Sequence, residues 1–262
     1  MWRLLLFLFA TPALAEPVTV LSGETALRAE YARPPGAQRA GIVALHGCSG
    51  MFLVRDRFWR DQLVPGGYAM VYPDSFGSRG MGSQCKERSR TVTPAVVRRQ
   101  DAYAAAAWLA AQPGTPAGGV VLLGWSDGGS TVLAAANDPP PGLLRGIIAF
   151  YPSCRIWAER ANWSPAVPIL ILMGADDDWT PAEPCQILAA RFPGDIRLVL
   201  YPGAYHDFDV PNMPIVERTG LPYTANRIGT AHVGTNPVAQ ADAQRQVAAF
   251  LEQLPPAQAT PN

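Results

Sequence analysis

One strand-to-helix junction constrains the fold of this chain more than any other stretch: VVLLGWSDGGSTVLAAA, residues 120–136. An apolar run suited to a buried strand ends in the pattern G-x-S-x-G, Gly124 to Gly128, and an alanine-rich helical stretch follows at once. So sharp a turn puts its central residue in an unfavourable backbone conformation and lifts that side chain above the sheet edge, at the N-terminus of the next helix. Side chains at 124 and 128 would collide with neighbouring strands, and glycine removes the collision. Ser126 is therefore a candidate nucleophile, and Ser130 falls inside the helix. The competing reading is a polar residue in a glycine-rich loop, which would need neither flanking element.

Similar apolar runs recur at residues 41–47, 68–74, 146–152, 168–174 and 196–202, each ending in Gly, Pro or Asp. Their unbroken apolarity suits parallel strands covered on both faces. Helix patterns fall between them, at residues 55–64, 94–111, 129–137, 182–191 and 238–254, with Pro94 and Pro181 near helix starts. The alternation predicts a mostly parallel, doubly wound α/β sheet in a single domain over residues 16–254. Val and Thr within residues 17–31 predict an added antiparallel edge. Residues 207–237 read as a long loop, and residues 255–262 as a fraying tail.

The ends and the charge balance bear on function. Residues 1–15, MWRLLLFLFATPALA, carry one positive charge at Arg3, a short apolar stretch and an A-x-A site at Ala13–Ala15. This predicts a signal peptide, a mature chain starting at Glu16, and export to the periplasm or outside the cell. The apolar run is far short of the ~20 residues that span a bilayer. In an oxidising compartment the four cysteines, Cys48, Cys85, Cys154 and Cys185, predict two disulfides rather than a metal site, since they lack close C-x-x-C clustering. Lys plus Arg and Asp plus Glu both number 21, which argues against electrostatic binding of nucleic acid. No metal or cofactor is implied.

A serine hydroxyl needs a base to take its proton and an acid to orient that base. Two histidines follow Ser126. His206 comes just after the last strand candidate and is the expected base. His232 lies deep in the long loop, with no strand to position it. The acid is expected after the preceding strand, where GADDDWTP offers Asp176, Asp177 and Asp178. Three adjacent carboxylates cannot all turn inward, because an unpaired buried charge is too costly. These residues alone do not choose among them.

The motifs LHGCSG, YPDSFGSRG, GWSDGG, GADDDWTP and YPGAYHDF stand in that order over residues 41–208, with AQADAQRQVAAFL near the C-terminus. Together they resemble the dienelactone hydrolase family of α/β-hydrolases, in particular its exported, disulfide-containing members. The resemblance implies Asp177 as the acid, by its G-x-x-D spacing with Pro181 four residues on, and His206 as the base. It implies an oxyanion hole built from the backbone N–H groups of Cys48 and Asp127. His46 would brace that loop or touch substrate, and Arg79 would occupy an anion-binding position. Cytoplasmic members carry cysteine where Ser126 stands, and a substrate-holding arginine where this chain has Val210. Loop order then pairs Cys48 with Cys85 and Cys154 with Cys185. The expected activity is cofactor-independent hydrolysis of small esters or lactones through an acyl-enzyme. A peptidase on the same fold, or a non-catalytic binding protein that keeps the pocket, are the alternatives.

Overall fold

The computed structural model describes residues 15–254, so the expected signal peptide (Ala15 apart) and tail lie outside the described residues. Eight strands form one sheet: β1 (Glu16–Ser22), β2 (Thr25–Ala32), β3 (Ala40–Leu45), β4 (Tyr68–Pro73), β5 (Val120–Trp125), β6 (Leu144–Phe150), β7 (Ile169–Gly174) and β8 (Ile196–Tyr201). Their order is β1-β2-β4-β3-β5-β6-β7-β8. β1 and β2 pair antiparallel as an edge and β2 meets β4 antiparallel, while β4, β3 and β5 through β8 run parallel. Every residue of β3, β4, β5 and β7 is buried, which is why these segments are apolar throughout. β1 alternates near its end, as an edge with one wet face should.

The connecting helices are α1 (Leu53–Leu63), α2 (Arg99–Ala110), α3 (Asp127–Ala136), α4 (Arg155–Glu159), α5 (Glu183–Arg191) and α6 (Pro237–Gln253). Asn236 caps α6, its side chain accepting from Ala239 N–H, and Pro237 takes the first turn, where no N–H is needed. α2 is entered through a wider turn at Pro94–Arg98, in which Arg98 N–H reaches back five residues to Thr93 O. No helix among the described residues is long and apolar enough to cross a membrane.

Two expectations need correction. Residues 207–237 are not structureless: β9 (Val216–Thr219) and β10 (Thr230–Val233) pair antiparallel, and His232 stands on β10. α3 starts at Asp127, two residues before the expected 129, because the helix begins directly on the turn. Cys48 is bonded to Cys85 and Cys154 to Cys185, the pairs that loop order suggested.

Candidate active site

Parallel strands leave their carboxyl ends on one rim, and three of those ends bring Ser126, Asp177 and His206 together. Ser126 follows β5 with φ 56° and ψ −114°, a strained conformation for a residue with a side chain. The turn is tight enough that a Cβ at Gly124 would lie 2.2 Å from Gly128 O, and one at Gly128 would lie 2.0 Å from Leu45 O. Only glycine lets the first turn of α3 sit against the end of β3. Ser126 is partly exposed, while Asp177 and His206 are buried.

The three side chains form one hydrogen-bonded chain. Ser126 Oγ lies 2.9 Å from His206 Nε2, and His206 Nδ1 lies 2.7 Å from Asp177 Oδ2. With Nδ1–H donating to the carboxylate, Nε2 is left to accept the serine proton. Asp177 is fixed in turn: Oδ1 accepts from the N–H groups of Trp179 and Thr180 at 2.9 and 2.8 Å, and Oδ2 from Thr180 Oγ at 3.0 Å. The imidazole packs against the Tyr151 and Trp179 rings, at 4.5 and 4.8 Å between centres. Burial pushes its pKa down, but the charge and hydrogen bond of Asp177 outweigh burial and leave it raised.

Of the neighbouring carboxylates, Asp176 is exposed, and Asp178 binds both the N–H and Nδ1 of His232, at 2.7 and 2.8 Å. His232 therefore belongs to a separate rim pair, its ring tilted against Tyr205 at 5.0 Å. His46 is buried; its Nδ1 donates to Gly47 O at 2.8 Å and its Nε2 accepts from Ser75 N–H at 3.1 Å. Burial, followed by the Arg98 charge, holds its pKa well below the ordinary histidine value, so it is a neutral brace for the loop. Arg79 is committed elsewhere: both terminal nitrogens bind the buried Asp101 at 2.8 Å, and one also donates to Ser75 O. Val210 is buried, and nothing charged stands at that position.

The loop carrying Cys48 presses on the Ser126 turn, since a Cβ at Gly47 would come 3.5 Å from Ser126 Cβ. Cys48 is held by its disulfide and by Gln84 N–H on its carbonyl at 2.7 Å, and its own N–H meets no acceptor among the described residues. Asp127 supplies the first N–H of α3, a group that has no intrahelical partner.

Several residues here carried no sequence signal. Asp209, wholly buried, accepts from Trp59 Nε1, Trp125 Nε1 and Tyr151 OH at 2.7, 2.9 and 2.6 Å. It ties the residue before Ser126 to the loop that follows His206. The Asp127 carboxylate meets Arg98 at 2.5 Å and Arg90 at 2.6 Å. Among the described residues, no three His, Cys, Asp or Glu side chains are grouped to hold a metal ion. Two clefts, of about 120 and 380 Å³, open at the amino ends of the strands, on the rim opposite the triad of side chains.

A model of the dienelactone hydrolase family matches residues 27–254. No curated protein matches the chain by sequence. Among solved structures, a dienelactone hydrolase-like promiscuous phosphotriesterase from metagenomic libraries is similar at TM-score 0.75 and 21% identity, covering 93% of this chain and 99% of that one. A putative dienelactone hydrolase from Klebsiella pneumoniae gives 0.68 and 18%, over 93% and 100%. An acylaminoacyl peptidase gives 0.67 and 15%, over 96% of this chain but 43% of that one. At these identities the likeness is one of fold.

Proposed function

This chain belongs to the dienelactone hydrolase family, and on that premise we propose that it is an exported serine hydrolase that cleaves small carboxylic esters or lactones. The observation that carries the reading is the unbroken chain from Ser126 Oγ through His206 to Asp177, ending on a partly exposed hydroxyl. His206 Nε2 takes the hydroxyl proton as Oγ attacks the acyl carbon. Negative charge moves onto the carbonyl oxygen, where the N–H groups of Cys48 and Asp127 meet it. Such donors act on charge that is absent from the ground state, and losing one typically costs about 3–4 kcal/mol of transition-state stabilisation. The imidazolium, stabilised by Asp177, then passes its proton to the departing alkoxide. Water repeats the sequence on the acyl-enzyme and frees the acid. In a lactone the leaving alcohol stays tethered to the acyl group, and the same steps open the ring.

Export is supported by the two disulfides, which persist in oxidising compartments, and by the signal-like residues 1–15. The test is turnover of p-nitrophenyl acetate and an aryl lactone beside a peptide p-nitroanilide. Ser126→Ala should lower ester and lactone turnover by about 10³-fold or more with the far-UV spectrum unchanged. Undiminished turnover in that variant contradicts the assignment, and faster cleavage of the peptide substrate would replace ester with amide.

A further inference from the structure

Two backbone donors can serve one oxyanion only if the segments that carry them keep a fixed separation. Cys48 follows β3 and Asp127 opens α3, so these donors come from parts of the chain nearly eighty residues apart. One guanidinium spans them. Arg98, with no exposed surface, donates from Nη2 to His46 O at 2.7 Å and from Nη1 to Asp127 Oδ2 at 2.5 Å. Its Cζ lies 4.9 Å from the centre of the Phe76 ring, on the loop after β4. The wide turn Pro94–Arg98 places it there, just ahead of α2.

We propose that Arg98 is the positioning residue of the oxyanion hole, clamping the Cys48 loop to the nucleophile turn through His46 O and the Asp127 carboxylate. The inference rests on reading the Cys48 and Asp127 N–H groups as the oxyanion donors. Arginine suits the task because its fork makes two divergent hydrogen bonds from one rigid plane, which lysine cannot do. Arg90 fills the other oxygen of Asp127 at 2.6 Å, from the loop that the Cys48–Cys85 bond ties to the first donor. Between them the two guanidiniums occupy both oxygens of Asp127 and hold the first turn of α3, whose N-terminus favours the oxyanion. Arg98 touches neither substrate nor reacting atoms; it acts through what it holds.

The experiment uses the full mature protein as wild type, Ser126→Ala, Arg98→Lys and Asp127→Asn. Active sites are counted by titration to completion with a fluorophosphonate, and kcat/KM for p-nitrophenyl acetate is expressed per titrated site. The inhibition constant of an aryl trifluoromethyl ketone, whose adduct carries the oxyanion, is measured in parallel. Displacing donors should cost less than the 10²–10³-fold of deleting one. Arg98→Lys and Asp127→Asn are therefore expected to lower kcat/KM per site by about ten- to a hundredfold and to weaken the ketone by the same factor. A merely structural arginine would reduce the number of titratable sites and leave both constants per site unchanged, which overturns the inference. If Arg98→Lys does not fold, Asp127→Asn decides alone, since it takes the carboxylate charge and one acceptor out of the clamp while keeping side-chain shape and the backbone donor. Turnover equal to wild type in Ser126→Ala would instead remove the hydrolase reading, and the clamp with it.

Discussion

In the proposed reaction, Ser126 and His206 depend on the asymmetry of their neighbours. Asp177 uses one oxygen on His206 and the other on two backbone N–H groups, so the imidazole cannot rotate away from the serine. The same carboxylate raises the His206 pKa against the opposing effect of burial. The base must be neutral to accept the Ser126 proton, so a raised pKa moves the acid limb of the activity profile upward. For an ester without ionising groups, kcat/KM should rise with pH and level off, with its midpoint above the ordinary histidine value of about 6.5. Asp177→Asn should move that midpoint down and lower the rate by up to about 10⁴-fold; a wild-type midpoint below the ordinary value would contradict the assignment of the base. Sequence made Ser126 and His206 readable because each follows an apolar run. Asp177 needed the family spacing, since only the loop fold turns Asp176 to solvent and Asp178 to His232. Arg98 left no such trace: a charged residue at the start of a helix pattern reads as a solvated face. Arg79 was read as an anion-binding position, and its pairing with the buried Asp101 left no sequence signal.

The junction of β3, β5 and α3 is the element that makes the site possible. Gly128 is its closest approach: a Cβ there would lie 2.0 Å from Leu45 O and 2.6 Å from His46 O, both backbone atoms that cannot swing aside. Gly128→Ala should therefore displace α3 from the end of β3, lowering stability by more than the ~1–3 kcal/mol of ordinary overpacking, and should reduce activity in whatever protein remains folded. A thermal midpoint within a degree of wild type would contradict that packing. The buried strands were legible because burial on both faces demands unbroken apolarity. α4, five residues long, is too short to show helical periodicity. β9 was hidden for the opposite reason, since all four of its residues are exposed and polar chemistry dominates its sequence.

Across the whole molecule, one sheet positions Ser126, Asp177 and His206, and covalent links fasten the loops above it. Cys48–Cys85 closes a separation of 37 residues and Cys154–Cys185 one of 31. By chain-entropy arguments each stabilises by roughly 3–4 kcal/mol. The first link holds the loop of the proposed oxyanion donor Cys48 to the segment bearing Arg90, and the second joins the loop after β6 to α5, beyond the Asp177 turn. Asp209 adds a buried polar centre beneath them, binding α1, β5 and the end of β6 to the His206 loop. The central claim is that this assembly serves to activate Ser126. It is tested most directly by intact-mass and peptide mapping of the folded protein after reaction with a fluorophosphonate. A single adduct on Ser126, absent from Ser126→Ala and slowed in His206→Ala, is the predicted result. No adduct on the folded wild-type protein, or one that maps to another residue, would contradict it.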